Sequence, residues 1–165
     1  AWLIDRRLPE TPDDLHQAIS RIKTIRYARN WRNALALSNA ERDGMRELLL
    51  GLPDWLRWPA LAVAQRKRLL ARSDWSQLHE LGVAVVAVHG GADVATMSSE
   101  IEQLIAEGVS PAPLITGDDL LAAGLQPGPL FKRVLDEVYD AQLEFRVTDH
   151  AGAMALALQV AGGNQ

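Results

Sequence analysis

The chain has 165 residues, of which 48% are hydrophobic, carries a net charge of −4 and contains no cysteine. Its length is sufficient for one domain or two small ones with a buried core. The lack of cysteine excludes a disulfide framework and a thiolate zinc site, no apolar run is long enough to span a bilayer, and we expect a cytoplasmic protein with no membrane partner. Because Ala1 stands in place of an initiator methionine and the first residues do not resemble a signal peptide, we expect the chain to be part of a longer protein.

Charged residues are divided unevenly along the sequence. Residues 1–72 contain 14 Lys and Arg against 8 Asp and Glu, a balance of +6, whereas residues 73–165 contain 3 against 13, a balance of −10. The mild net charge hides this division. A polyanion such as RNA would be drawn to the first part of the chain.

A turn at residues 9–14 leads into a first predicted helix that runs to about Leu35. Basic residues accompany its apolar ones, and a second basic cluster follows later in the first half of the chain. Arginines along a helix usually form its solvated face, but the same residues could contact RNA phosphates. The two basic groups are Arg21, Lys23, Arg26, Arg29 and Arg32 in the helix, and Arg66, Lys67, Arg68 and Arg72 in the cluster.

Four aromatic residues are interleaved with the basic ones: Tyr27, Trp31, Trp55 and Trp58. Their rings could stack on bases or ribose. Trp55 and Trp58 lie in a short element beside prolines, where burial against neighbouring helices is the simpler explanation. We therefore predict packing as the main role of the tryptophans.

The next predicted helices are separated by capping and helix-breaking residues. Ser38 and Glu41 have the spacing of a capping box and predict a helix start. Gly51 and Pro53 predict the end of that helix. The helices predicted in this region span residues 38–50, residues 59–71, and a stretch from residue 75 to about residue 81.

The segment VAVVAV at residues 83–88 is rich in β-branched residues and locally favours a strand. No convincing second strand could pair with it, and a lone strand leaves its backbone groups unsatisfied, so we predict a buried helix. Beyond it, Ser98 or Ser99 is predicted to begin a helix through Ala106 that Gly108 closes.

The region at residues 116–144 predicts two helices joined by a sharp corner. Thr116 and Asp119 have the spacing of a capping box that begins the first helix. Gly124 is placed to adopt the left-handed conformation that ends it, and Pro129 suits the first turn of the next helix. A last helix is predicted from Thr148 or Asp149 through Leu158.

The corner could hold a phosphate. The start of a helix presents unpaired N–H groups and the positive end of a dipole, and Gly128 would allow a ligand to approach the backbone closely. Lys132 and Arg133 would add positive charge one turn later. The alternative is an ordinary helix corner whose glycine and prolines serve packing alone.

The sequence lacks the signature of two-metal phosphoryl transfer, a glycine-serine pair followed by paired aspartates that hold magnesium. Asp118 and Asp119 are adjacent at a predicted helix start, where capping explains them better than metal binding. His89 and Asp93 have the one-turn spacing of a ligand pair, but two glycines between them disfavour a helix. We predict no catalytic residue, no metal site and no cofactor in this chain.

The corner residues resemble the C-terminal signature of bacterial tRNA nucleotidyltransferases, which are the CCA-adding enzymes and their poly(A) polymerase relatives. The similar segments there are PLITG at 113–117, DL at 119–120, GL at 124–125, PGP at 127–129 and AQLE at 141–144. Further upstream, segments in the same order are similar to the body of these enzymes. They are LSNAERD at 37–43 and RLLAR at 68–72, followed by Asp74 and Trp75.

The resemblance implies an all-α fold with an elongated helical body at residues 1–110 and a helical tail at residues 111–165. It further implies a parent transferase whose N-terminal catalytic domain, outside this chain, uses magnesium and ATP or CTP. This chain would then bind tRNA or an RNA 3′ region and position it. By this resemblance, the RNA-binding residues are Arg21, Arg26, Arg29, Arg32, Arg66 and Lys67 in the body, and Gly128, Lys132 and Arg133 at the corner.

The sequence departs from the family pattern at residue 145 and in the final helix, where HAGA at 150–153 stands in place of the usual glutamates after the cap, and two other functions stay open. Phe145 stands where the family usually has a glycine, and a left-handed turn there would cost about 1–2 kcal/mol. The chain could instead be a stand-alone helical interaction module, associating as a homodimer, in which the corner is only structural. It could also be a helix-hairpin-helix DNA-binding module, although such a module would normally show more basic residues at the corner.

Overall fold

The computed structural model describes residues 38–90 and 92–162, and these residues form seven α-helices and one 3₁₀ turn, with no strand among them. The all-α prediction is confirmed. The predicted first helix lies outside the described residues. The helices are α1 (Asn39–Leu56), α2 (Val63–Leu70), α3 (Trp75–His89), α4 (Val94–Glu107), α5 (Gly117–Ala122), α6 (Pro129–Leu143) and α7 (His150–Gly162), and the 3₁₀ turn is Trp58–Ala60.

Contacts divide the described residues into two compact units. The first comprises residues 38–61 and 72–100 apart from Gly91, and the second comprises residues 62–71 and 101–162. Helix α2 therefore belongs to the second unit, although residues of the first unit flank it in sequence. The predicted boundary between a body at 1–110 and a tail at 111–165 stays a prediction, because much of the predicted body lies outside the described residues.

Two glycines let α1 and α3 pack closely in the first unit. A methyl group built on Gly82 of α3 would lie 2.2 Å from the indole Cδ2 of Trp55. One built on Gly51 of α1 would lie 2.9 Å from a methyl group of Leu78. Trp55 and Leu78 are both fully buried. The missing Cβ atoms make room for these side chains, so both glycines are packing residues.

Helix α1 continues to Leu56, so the prediction that Gly51 and Pro53 end it is wrong. A proline inside a helix removes one hydrogen bond and crowds the preceding turn, at a cost of about 3 kcal/mol. Leu52, Pro53 and Trp55 are buried, and their burial offsets this cost. Tertiary packing has therefore overridden the local signals for a helix end.

An aromatic cluster lies in the core of the first unit. Trp55 and Trp58 are 0% and 1% exposed, which confirms the prediction that they serve packing. The Trp55 indole donates to His79 Nδ1 at 3.2 Å, and the Trp58 indole donates to Glu100 Oε2 at 2.8 Å. Trp75 packs at a tilt beside Trp58 and His79, with ring centroids 6.0 and 5.3 Å apart. Both buried indole N–H groups have an acceptor, so their burial leaves no donor unpaired.

The predicted helix over residues 59–71 is interrupted. Residues 58–60 form the 3₁₀ turn, Leu61 and Ala62 are extended, and α2 begins only at Val63. Gln65 Oε1 accepts from Ala62 N at 3.0 Å and so caps the new helix. The burial of Trp58 and the hydrogen bond from its indole to Glu100, which lies 42 residues further along the chain, hold the turn in place. Local sequence patterns cannot predict such a distant contact.

The valine-rich segment at residues 83–88 is helical, as predicted, and forms the second half of α3. The predicted start of this helix at Trp75 is also confirmed. Burial is less complete than predicted, because Val88 is 76% exposed. The segment is therefore a partly buried helix and not a strand.

Helix α4 begins at Val94, so the predicted start at Ser98 or Ser99 is wrong. Asp93 Oδ1 accepts from two backbone N–H groups of the first turn, at 3.1 and 3.2 Å, and caps the helix. The Ser98 hydroxyl lies inside the helix and donates to the Val94 carbonyl at 2.8 Å. Gly108 follows the helix with φ of +96°, which confirms its predicted role at the end of α4.

Helix α7 is capped by Asp149, one of the two residues predicted to begin it. Asp149 Oδ1 accepts from Gly152 N at 2.8 Å.

The core of the second unit lies where α5, α6 and α7 meet. The three helices bury small and branched apolar side chains against one another. The fully or nearly buried members are Ile115, Leu120, Val134, Val138, Ala153 and Ala157.

Two side chains of α6 fix the extended segment that precedes α5. The Tyr139 hydroxyl donates to the Pro111 carbonyl at 3.0 Å. Gln142 Nε2 donates to the Ala112 carbonyl at 2.7 Å, and Gln142 Oε1 accepts from Leu114 N at 3.0 Å. Both ends of the glutamine amide are therefore used, and the chain entering the corner is held along α6.

Candidate nucleic-acid interface

The first helix of the corner, α5, begins at the predicted pair Thr116 and Asp119. Asp119 Oδ2 accepts from Thr116 N at 2.7 Å and from the Thr116 hydroxyl at 2.8 Å. His150 Nε2 lies 3.3 Å from Asp119 Oδ1. These contacts, the Thr116 N–H foremost, lower the pKa of Asp119. The predicted capping role of Asp119 is confirmed.

Gly124 ends α5 in the left-handed conformation, with φ of +88°, as predicted. Its N–H donates to the Leu121 carbonyl at 2.9 Å, and the Leu125 N–H donates to the Leu120 carbonyl at 3.1 Å. This is the hydrogen-bond pattern of a Schellman motif. Leu125 packs against the core cluster that contains Leu120, which supplies the apolar contact usual for the motif.

The second helix of the corner, α6, begins at Pro129 as predicted, and Gly128 precedes it. Gly128 has an extended backbone with φ of 171°, is exposed, and has open space where a side chain would stand. Neither backbone strain nor internal packing requires glycine at this position. Its absent side chain leaves an open approach to the N–H groups in the first turn of α6.

Lys132 and Arg133 are both exposed near the start of α6. Arg133 Nε lies 4.0 Å from Glu137 Oε2, and both side chains are largely in solvent, so this pair adds little stability. Within the described part of the chain, the Lys132 ammonium shows no ion pair. Both positive charges can therefore reach a ligand at the corner.

Lys67 is buried, with only 1% of its surface exposed, although the resemblance assigns it to RNA binding. Its ammonium lies 3.2 Å from Glu107 Oε2 and 4.2 Å from the ring centroid of Phe145. Gln103 Nε2 donates to the other oxygen of Glu107 at 3.0 Å. The Gln103 amide, and then Lys67, lower the pKa of Glu107. In this arrangement Lys67 is an internal ion-pair partner and does not face a phosphate.

Arg68 is also engaged within the second unit. Its Nε lies 2.6 Å from Asp140 Oδ1, and one terminal nitrogen lies 3.9 Å from Asp136 Oδ1. Its guanidinium lies 5.2 Å from the ring centroid of Tyr139. Arg66, on the same helix, is partly exposed. The part of the basic cluster that lies on α2 therefore serves in part to attach α2 to α6.

The nine residues assigned to RNA binding fall into three groups. Gly128, Lys132 and Arg133 lie together at the start of α6. Arg66 and Lys67 lie on α2, which contacts α6 through Asp136 and Asp140, about 12 and 18 Å along the helix axis from Gly128. The remaining four lie outside the described residues: Arg21, Arg26, Arg29 and Arg32.

Phe145 ends α6 in a left-handed conformation, with φ of +57°. Its N–H donates to the Gln142 carbonyl at 3.0 Å, and the Arg146 N–H donates to the Ala141 carbonyl at 2.8 Å, the pattern that also ends α5. The turn therefore forms although phenylalanine replaces the glycine that the family resemblance would place here, at a cost of about 1–2 kcal/mol. The sequence marks the substitution, but it does not reveal that the left-handed conformation is kept.

Acidic pH should weaken the start of the corner. Because the pKa of folded Asp119 lies below its ordinary value of 3.8, the stabilisation by this carboxylate is complete above that value and is lost as the pH falls below it. We expect Asp119→Asn to lower the thermal midpoint at neutral pH and to reduce its fall between about pH 5 and pH 2. Asp118→Asn removes the same charge one residue earlier and is the control. Identical pH profiles for the two variants would refute the assigned role of Asp119.

Comparison of the chain with protein-family models, with curated proteins and with solved structures finds no match. Residues 38–90 and 92–162 contain no group of three His, Cys, Asp or Glu side chains that could hold a metal ion. None of the described helices combines the length and apolar character needed to cross a membrane. The geometry of the corner and the family resemblance of its residues are the basis on which a function can be proposed.

Proposed function

We propose that this chain is the RNA-binding region of a template-independent nucleotidyltransferase of the CCA-adding or poly(A) polymerase type. It would bind tRNA or another RNA near the 3′ end and position that end for an N-terminal catalytic domain of the parent protein. In this proposal magnesium and ATP or CTP are bound by the catalytic domain. The residues of this chain contribute binding and orientation, which lower the entropic cost of the reaction.

The observation that carries the proposal is the exposed start of α6. Gly128 leaves the N–H groups of the first turn open to an anion, and the helix dipole adds positive partial charge there. Lys132 and Arg133 are exposed one turn later. The segment that resembles the tRNA nucleotidyltransferases therefore has the geometry of a local phosphate contact.

Charge along α6 limits how far such a contact can extend. Asp136, Glu137 and Asp140 follow Lys132 and Arg133 and are at least partly exposed, so they would repel phosphates further along the helix. Residues 1–72, with their balance of +6, would supply the broader attraction. Affinity would then come mainly from phosphates and from the shape of the A-form helix, with little reading of base sequence.

Charge reversal at the corner tests the proposal. We expect the double variant Lys132→Glu with Arg133→Glu to bind fluorescently labelled tRNA about 10-fold or more weakly than the unaltered chain at low salt, because two phosphate contacts are lost and two repulsive charges are added. Fluorescence anisotropy gives the dissociation constants. The matched control is Arg42→Glu with Arg46→Glu, which makes the same change in net charge at two arginines of α1.

The control separates local contact from general electrostatics. A loss of affinity that is equal in the two double variants would show that the corner makes no specific contact with tRNA. Binding of neither tRNA nor duplex DNA by the unaltered chain, together with self-association, would favour the helical interaction module. A preference for duplex DNA would favour the helix-hairpin-helix alternative.

A further inference from the structure

We infer that the ring of Phe145 is a stacking platform for one unpaired nucleobase of the bound RNA. The inference rests on the proposed RNA-binding function and adds a second contact, at the opposite end of α6 from the corner. A single aromatic ring suits this role because every base has a π face, so stacking tolerates any base. Three features of the second unit support it.

The first feature is an exposed aromatic ring on a strained backbone. Phe145 is 58% exposed and has φ of +57°. A glycine would end α6 in the same turn without the steric cost, and an exposed phenylalanine gains little from burial. Strained residues persist where the surroundings hold them, and they concentrate at functional sites. Ending the helix is therefore not sufficient to explain a phenylalanine here.

The second feature is a cation fixed beneath the ring. The Lys67 ammonium lies 4.2 Å from the ring centroid and is buried, so it backs the inner face of Phe145 and leaves the outer face toward solvent. Glu107 holds the ammonium in place, at 3.2 Å. The cation attracts the π electrons toward the inner face, so a base that stacks on the outer face meets less repulsion from the ring. The cation contact also favours this orientation of the ring before any ligand arrives, which reduces the entropic cost of binding.

The third feature is a cavity beside the ring. It has a volume of about 250 Å³, and its lining includes Lys67, Glu107, Phe145, Val147 and Thr148. Clefts for drug-sized ligands measure about 300–1,000 Å³, so this cavity is too small for an extended ligand, and it can accept only the edge of a base that stacks on the outer face of the ring. The exposed Thr148 hydroxyl can hydrogen-bond the edge of a base, whereas the Glu107 carboxylate would repel a phosphate. The base is therefore the part of a nucleotide that fits.

A short single-stranded RNA that carries one 2-aminopurine tests the inference, because the fluorescence of this base is quenched when it stacks. We expect the unaltered chain to bind and quench the probe at low salt. Phe145→Gly should weaken binding about 5- to 150-fold and abolish the quenching, as the loss of one base–aromatic stack predicts. Phe145→Trp keeps an aromatic ring and should retain both signals. Loss of the cation contact and relief of backbone strain oppose each other in Phe145→Gly, so its thermal midpoint should stay within a few degrees of that of the unaltered chain.

The outcomes separate this inference from the proposed function. If Phe145→Gly binds and quenches as well as the unaltered chain does, the stacking platform is refuted, even where the corner variants still show loss of tRNA binding. If the unaltered chain fails to bind tRNA but quenches the probe through Phe145, the platform stands and the proposed function falls. If Phe145→Gly instead abolishes self-association with no effect on the probe, the ring is a contact between copies of this chain and the inference is overturned.

Discussion

Replacing Gly82 by alanine is expected to lower the free energy of unfolding of the first unit by about 3 kcal/mol. Alanine in place of glycine inside a helix ordinarily stabilises by roughly 0.5–1 kcal/mol. Here the added methyl group would lie 2.2 Å from the Trp55 ring, and the three nearest atoms all belong to that ring. The indole is fully buried and donates to His79, so it cannot move aside at low cost. Overpacking should therefore make Gly82→Ala destabilising, although helix propensity alone predicts that alanine stabilises the helix.

Gly44→Ala is the matched control for Gly82→Ala. Gly44 also lies inside a helix, but it is exposed and has no atom within 4 Å of an added methyl group. We expect Gly44→Ala to stabilise by about 0.5–1 kcal/mol in urea unfolding monitored by tryptophan fluorescence. If both variants are stabilised equally, α1 and α3 do not pack through Trp55 against Gly82.

Lys67→Met should destabilise the second unit by about 2 kcal/mol. Methionine keeps most of the apolar stem, but it removes the ammonium that pairs with Glu107 and lies beneath Phe145. Removal of one partner from a fully buried ion pair costs about 3–5 kcal/mol, because it leaves the other charge uncompensated. The Glu107 side chain is 32% exposed, so solvent screens part of this cost.

Two further variants identify the origin of that loss. Glu107→Gln, added to Lys67→Met, should recover much of the stability because it removes the uncompensated charge. Arg68→Met is the control on the same helix, where the ion pair with Asp140 is exposed by about 40% on each side, and it should cost less than about 1 kcal/mol. The buried ion pair would be disproved as a structural element if Lys67→Met cost no more than Arg68→Met in urea unfolding.

Helix ends that depend on neighbours within a few residues could be predicted from the sequence. The Ser38 and Glu41 capping box is present, with Glu41 N donating to Ser38 Oγ at 3.2 Å and Ser38 N donating to Glu41 Oε2 at 2.8 Å. Gly108 and Gly124 adopt the left-handed conformation expected after a helix. In each case the donor, the acceptor and the residue with the required φ lie within one turn, so local spacing is sufficient.

Elements that depend on distant contacts could not be predicted in this way. Gly51 and Pro53 look like a helix end, yet the helix continues because its buried face packs against α3. The 3₁₀ turn at residues 58–60 is held by the burial of Trp58 and its bond to Glu100. The start of α4 was mispredicted for a different reason, because Asp93, Ser98 and Ser99 can each cap a helix locally and Asp93 takes that role. Local propensity is a weak guide wherever such tertiary contacts compete with it.

The same distinction holds for the candidate site. The corner from Thr116 to Pro129 has the predicted caps because they are local. The burial of Lys67 depends on Glu107 and Phe145, which lie 40 and 78 residues further along the chain. A basic residue in an Arg-Lys-Arg run therefore looks like a phosphate ligand until the fold supplies its partners. The sequence does show one relevant signal, the phenylalanine at a position where the resemblance predicts glycine.

The proposed RNA-binding function is tested most directly by titrating the unaltered chain with tRNA, and with duplex DNA of similar length, at increasing salt concentration. We expect binding to tRNA at low salt, a logarithm of affinity that falls linearly with the logarithm of salt concentration, and weaker binding to the DNA duplex. Absence of tRNA binding at low salt, or tighter binding to duplex DNA than to tRNA, would contradict the proposed function.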